Sequence, residues 1–125
     1  MNQQLHLSNK TNSGKELPIF VKWLEFLKWF LPTLEKFPKK FRFTLSTRME
    51  NLSLELVELL IEAKYSKEKG VFLRKANLNL EKIRILMRIS HELKIMPTKS
   101  YHFASKQINE VGTMLGGWMK SHIRS

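Results

Sequence analysis

Arg84 and Arg88 stand four residues apart in the stretch KIRILMRIS, residues 82–90. On a helix that spacing stacks the two guanidinium groups one turn above the other. Each group is a planar fork of donors that grips phosphate or carboxylate through parallel hydrogen bonds. Their neighbours Ile83, Ile85, Leu86, Met87 and Ile89 are apolar, so the forks occupy a narrow strip on a crowded helix. Side chains held in this way lose little entropy on closing over an anion. Two plainer roles fit the same spacing: ordinary surface arginines, or ion pairs with Glu55, Glu58 and Glu62 of the preceding helix. Arg74 lies near the edge of the strip, beside Lys75.

A second basic cluster is FPKKFRF, residues 37–43, in which Lys39, Lys40 and Arg42 interleave with Phe41 and Phe43. The cations suit phosphates, and an exposed ring stacks on an unpaired base. A solvated turn with its rings folded inward competes with that reading and is the expectation for Phe43. Trp29 falls on the polar side of the first helix, between Lys22 and Lys36. Burial in a subunit interface is expected for it; stacking on a base or lying flat over its neighbours would also serve.

Enzymatic constellations are missing. HELKI opens like the zinc-binding helix motif, but Ile95 stands where the second His would be. His6, His91, His102 and His122 are scattered without clustered carboxylates, and His122 falls on the core face of the last helix. There is no glycine-rich phosphate loop. Gly112 and Gly116 have the spacing of a membrane-helix dimer motif in a setting too polar for one. Close helix approach is the expected use of Gly112, Gly116 and Gly117, against a helix cost of about 1 kcal/mol each. A non-catalytic chain without metal or cofactor is therefore expected.

Charge points to the partners. Twenty-two Lys and Arg face eleven acids, all of them Glu, giving +11 on 125 residues. Such a surplus favours a nucleic acid, an acidic protein or an anionic membrane surface. The absence of Cys excludes disulfides and thiolate metal sites and suits a reducing cytoplasm. The opening MNQQLHLSNKTNSGKEL is polar, with no signal-like apolar stretch, and no run is long enough to span a bilayer.

The elements that must carry these groups are helices. Residues 1–16 are expected to form a flexible polar arm, and residues 17–125 a four-helix bundle. From Pro18 to Phe37, Ile19, Phe20, Trp23, Leu24, Phe26, Leu27, Phe30, Leu31 and Leu34 share one broad face. Pro18 suits the first turn, Pro32 should kink the last turns, and Pro38 stops the helix. A second helix is predicted over 44–65 on Leu45, Met49, Leu52, Leu56, Leu59 and Ala63. A third, with Ser66 as a candidate cap, runs to about Lys94 on Leu73, Ala76, Leu80, Ile83, Met87 and Ser90. A fourth, capped by Thr98, carries Tyr101, Ala104, Ile108, Val111, Leu115, Trp118 and Met119. No strand pattern occurs, and short connections imply an all-α, antiparallel bundle.

Two helices hold more apolar surface than one core needs. Phe43, Leu54, Val57 and Ile61 lie nearly opposite the core row of the second helix, and Leu78, Ile85 and Ile89 form another row on the third. A wide core would absorb them; otherwise they mark a homo-oligomer interface, whose subunit number periodicity does not supply.

The strings LEKFPKKFRFTL, ELLIEA, LRKANLNLEKIRILMRI and EVGTMLGGWM, in this order and spacing, resemble Avd, the accessory variability determinant of diversity-generating retroelements. That group is related to four-helix bundles encoded in intervening sequences of large-subunit ribosomal RNA. The resemblance covers residues 18–122. It implies a basic, barrel-shaped homopentamer that associates with a reverse transcriptase and with template-repeat RNA or its cDNA. Such a protein supports error-prone cDNA synthesis in mutagenic retrohoming and is not itself a polymerase. By the same resemblance, Arg84 and Arg88 match positions on the basic surface that meets transcriptase or RNA, with Arg74 and Lys75 nearby. The arm before Pro18 has no counterpart. Rival expectations are a ribosomal-RNA-associated bundle, and a peripheral membrane protein using VKWLEFLKWF as an interfacial helix.

Overall fold

The computed structural model describes residues 16–124, which form four helices and no strand. They are α1 (Glu16–Glu35), α2 (Thr47–Tyr65), α3 (Lys69–Glu92) and α4 (Thr98–Arg124). Of the arm expected over residues 1–16, residues 1–15 lie outside the described residues. The most extensive packing is α2 on α3, then α3 on α4, α1 on α2 and α1 on α4. Each helix thus lies beside its neighbours in sequence, and the last returns to the first. This is the arrangement that short connections impose on a bundle.

α1 starts where its sequence allows. Pro18 stands in the first turn, whose amides have no partner inside the helix. Ile19, Trp23, Phe26, Leu27, Phe30 and Leu34 are buried; Phe20 and Leu31 are half-buried, and Leu24 is exposed at the edge of the face. The helix runs on through Pro32 to Glu35. Beside the missing proline N–H, the Thr33 hydroxyl donates to the Trp29 carbonyl at 2.7 Å. Trp23 is fully buried, and its indole Nε1 donates to the Ser53 carbonyl on α2 at 3.0 Å. The apolar face that an interfacial membrane helix would need is therefore spent on the core.

The α1–α2 connection is more wound than the expected turn. Lys39–Phe41 forms a 3-10 turn and Arg42–Ser46 a single π-helical turn, so α2 begins three residues later than periodicity suggests. The Ser46 hydroxyl, buried, donates to the Leu34 carbonyl at 2.9 Å and ties this turn to the end of α1. Along α2, Met49, Leu56, Leu59 and Ala63 are buried as expected, with Leu52 packed beside them.

Ser66 does not cap α3. It closes α2, its N–H donating to the Glu62 carbonyl, and its hydroxyl accepts from the Glu68 amide at 3.0 Å. The last turn of α2 is capped by Lys69, whose Nζ donates to the carbonyls of Ala63 and Lys64 at 2.8 and 2.7 Å. On α3 all six expected core residues are buried. α3 ends at Glu92, and Lys94 adopts the left-handed conformation, with φ of 62°. That reversal lets the amides of Ile95 and Met96 both reach the Ser90 carbonyl, at 2.9 and 3.1 Å. Thr98 opens α4, on which Ala104, Ile108, Val111, Leu115 and Trp118 are buried and Tyr101 and Met119 half-buried. No described helix is long and apolar enough to cross a membrane.

Candidate partner-binding surface

The six core residues of α3 leave its two flanks and its outer face to other tasks. Asn79 defines the α2 flank: its Nδ2 donates to the Leu52 carbonyl and to Glu55 Oε1, both at 3.2 Å. Arg84 defines the α4 flank. Its guanidinium crosses to α4 and lies over Gly112, where a Cβ would stand 2.9 Å from Nη2. Only 29% of the Arg84 side chain is exposed. Arg88, one turn on, is open to solvent.

Both arginines pair with acids of their own helix rather than with Glu55, Glu58 or Glu62. Arg84 Nη1 is bound to Glu81 at i−3, and Arg88 Nε donates to Glu92 at i+4 over 3.0 Å. The Glu92 hydrogen bond, then its charge, raises the Arg88 pKa above its ordinary value, so this guanidinium stays charged. The Arg88–Glu92 pair is open to water, which screens it, so it adds little to stability. The geometry of both pairs still matters, because each carboxylate occupies part of a fork that would otherwise take a phosphate.

The remaining basic candidates are spread over the molecule. Arg74 and Lys75 are exposed near the start of α3. Arg74 lines a shallow cavity of 270 Å³ with Gly70, Met119 and the half-buried His122, and its Nη1 lies over Gly70 much as Arg84 lies over Gly112. Lys39, Lys40 and Arg42 are exposed at the opposite end, in the α1–α2 connection. Their neighbour Phe43 is 85% exposed and turned outward, contrary to the expectation that it folds in. The π turn buries Leu45 and Ser46, which leaves Phe43 on the opposite side. Phe41 is the inward ring, half-buried with Lys40 Nζ 5.3 Å from its centre.

The second apolar rows are largely uncovered. Leu54, Ile61, Leu78, Ile85 and Ile89 are exposed by 40 to 53%, while Val57 is partly absorbed into the core. Trp29, expected between subunits, packs within the chain. Its ring lies nearly parallel to Phe30 at 6.2 Å and meets Phe103 of α4 edge-on at 4.6 Å. Helix spacing alone did not reveal Phe103, because the contact depends on how α4 lies against α1.

The glycines divide. Gly112 is a close approach, to a side chain rather than to a backbone; Gly116 and Gly117 have open space where a Cβ would stand. His91 does not act as half of a zinc pair. Its Nε2 lies 3.1 Å from Thr98 Oγ1, and its ring stacks on Tyr101 at 4.3 Å. Among the described residues no group of three or more His, Asp or Glu is placed to hold a metal.

No curated protein and no solved structure matches the chain. A family model described as bAvd-like matches residues 19–122, from the start of α1 to the last turns of α4. The chain therefore belongs to the bAvd-like family, whose members are accessory proteins of diversity-generating retroelements.

Proposed function

We propose that the protein is a non-catalytic accessory subunit that assembles into a homopentameric ring and holds template-repeat RNA, or its cDNA, beside the retroelement's reverse transcriptase. The observation that carries this reading is the outer surface of α2 and α3. Five large apolar side chains stand open there, next to a strip that bears Arg84 and Arg88. A monomer gains nothing from such rows, and exposed apolar surface of this kind marks association.

Charge supports a head-to-tail contact. α2 carries Glu50, Glu55, Glu58 and Glu62, whereas α3 is basic, with Lys82 beside Ile85 of its open row. An acidic helix of one copy facing a basic helix of the next is a heterologous pairing, which forms a ring where the rotation between copies closes. Apolar burial would then supply affinity, and charge the register. Basic groups left outside the contact, with Lys39, Lys40 and Arg42 at one bundle end and Arg74 and Lys75 near the other, would take phosphates.

The contribution to cDNA synthesis is positioning: a rigid basic body concentrates structured RNA near the transcriptase without bond chemistry of its own. Binding of template-repeat RNA, measured as salt is raised severalfold, tests the reading. Affinity should fall steeply, and Arg84→Ala with Arg88→Ala should weaken either RNA binding or co-purification with the transcriptase. Salt-independent RNA binding, or a double variant that keeps both interactions at full strength, would refute it.

A further inference from the structure

We infer that the α1–α2 end of the bundle is a stacking platform for unpaired nucleotides, with the Phe43 ring beneath a base and Lys39, Lys40 and Arg42 on the flanking phosphates. The inference rests on the RNA-binding reading above and deepens it. Among the described residues Phe43 is the most exposed large apolar side chain, at 85%, and it makes no ring or cation contact. Phe41, two positions earlier, is packed on the core and covered by Lys40. One ring of the cluster is thus structural, and the other is presented.

The backbone that presents it is pinned. Thr47 Oγ1 donates to the Arg42 carbonyl at 2.7 Å, Thr44 Oγ1 to the Phe41 carbonyl at 3.4 Å, and Ser46 Oγ to the Leu34 carbonyl at 2.9 Å. A π-helical turn is rare, and where one occurs it is frequently at a functional site. A ring on a fixed turn loses little freedom when a base settles on it.

The surroundings select the partner. Lys39, Lys40, Arg42 and Thr44, within four residues of Phe43 along the chain, are all exposed, so this end of the bundle is cationic with one open apolar ring. A protein interface of any strength buries a contiguous apolar area with charge kept to the rim. A lone ring among cations matches instead the groove-and-stack pattern of single-strand binding. Duplex RNA offers no such fit, since its base faces are already stacked and its major groove is too deep and narrow to read.

The test uses the full chain, with anisotropy measured on a labelled oligouridylate of about 12 nucleotides and on an RNA duplex of about the same length. Phe43→Ala should weaken single-strand binding by about fivefold to a hundredfold, the usual range for one base–aromatic stack. Duplex affinity, the salt slope and the solution mass should stay unchanged, and Phe43→Trp should retain binding. Removing Lys39, Lys40 and Arg42 together should weaken both ligands and reduce the single-strand salt slope by up to about 2. Single-strand binding untouched by Phe43→Ala overturns the inference, as does an equal loss on both ligands. A change of mass would assign the ring to a subunit contact, and loss of transcriptase co-purification alone would assign it to that protein; either result overturns it too. A wild-type chain that binds neither RNA fails the parent reading itself, a distinct result.

Discussion

The Arg84 guanidinium rests on the backbone of Gly112, and a single methyl group at that glycine would stand 2.9 Å from Nη2. The glycine sits in the middle of α4, where it costs about 1 kcal/mol of helix stability relative to Ala. In return, the tip of a long side chain from the neighbouring helix reaches it. Gly112→Ala should therefore raise stability by up to about 1 kcal/mol, because the displaced atom is the free end of a flexible side chain. The same change should lift the fork from its seat and weaken binding to RNA or transcriptase. Thermal melts and binding assays on one preparation check this; parallel changes in stability and binding would contradict it.

Gly116 provides the contrast. Nothing lies within 4 Å of where its Cβ would be, so Gly116→Ala should stabilise the helix by about 1 kcal/mol without affecting Arg84. A loss of stability, seen as a lowered denaturation midpoint, would mean that a second copy packs on this glycine.

Glu81 and Glu92 pair with the forks of Arg84 and Arg88 and would compete with a phosphate for them. Glu81→Gln and Glu92→Gln should each strengthen RNA binding by about twofold to fivefold and steepen its salt dependence, since one competing charge is removed. Folding stability should change by less than about 1 kcal/mol, as for other exposed pairs. Filter binding across a salt series reads the first effect, and urea denaturation the second.

Ser53 is used at one end only. Its carbonyl accepts from Trp23, but its fully buried hydroxyl has no partner among the described residues. Ser53→Ala should be neutral or stabilising by about 1 kcal/mol, because an unsatisfied buried polar atom is removed. Trp23→Ala should cost about 3 to 5 kcal/mol through the cavity it leaves. Chemical denaturation of both variants makes the comparison.

Lys94 holds a left-handed conformation that costs a side-chain-bearing residue about 1 to 2 kcal/mol. Lys94→Gly should recover about 1 kcal/mol of it while keeping the turn between α3 and α4. A destabilised Lys94→Gly, measured by the same denaturation, would show that the lysine side chain supports that turn.

Much of this architecture was legible because helical periodicity is a local property. The core rows of α2, α3 and α4 follow from three- and four-residue spacing, and they are buried where that spacing puts them, with Leu52, Tyr101 and Met119 half-buried at the edges. The ion pairs of Arg84 and Arg88 were open to the same reasoning, since Glu81 and Glu92 stand at i−3 and i+4. Other features depend on how two elements meet. Trp29 on Phe103 and Arg84 on Gly112 require the relative placement of α1 or α3 against α4, which no single-helix period encodes. Phe43 is open, as its place opposite the core row of the second helix implied; the expectation that it folds in treated the segment as a solvated turn, whereas it is wound and buries Leu45 and Ser46 instead. Lys69 as the cap of α2 likewise depends on the path of a short connection.

The apolar rows of α2 and α3 are the centre of the account, and solution mass tests them most directly. Light scattering on the purified full chain should give one species, a pentamer, that takes up template-repeat RNA without changing its subunit number. Ile85→Glu with Leu78→Glu should break it into monomers that keep their helical content. A wild-type protein that is monomeric alone and with RNA would contradict the account.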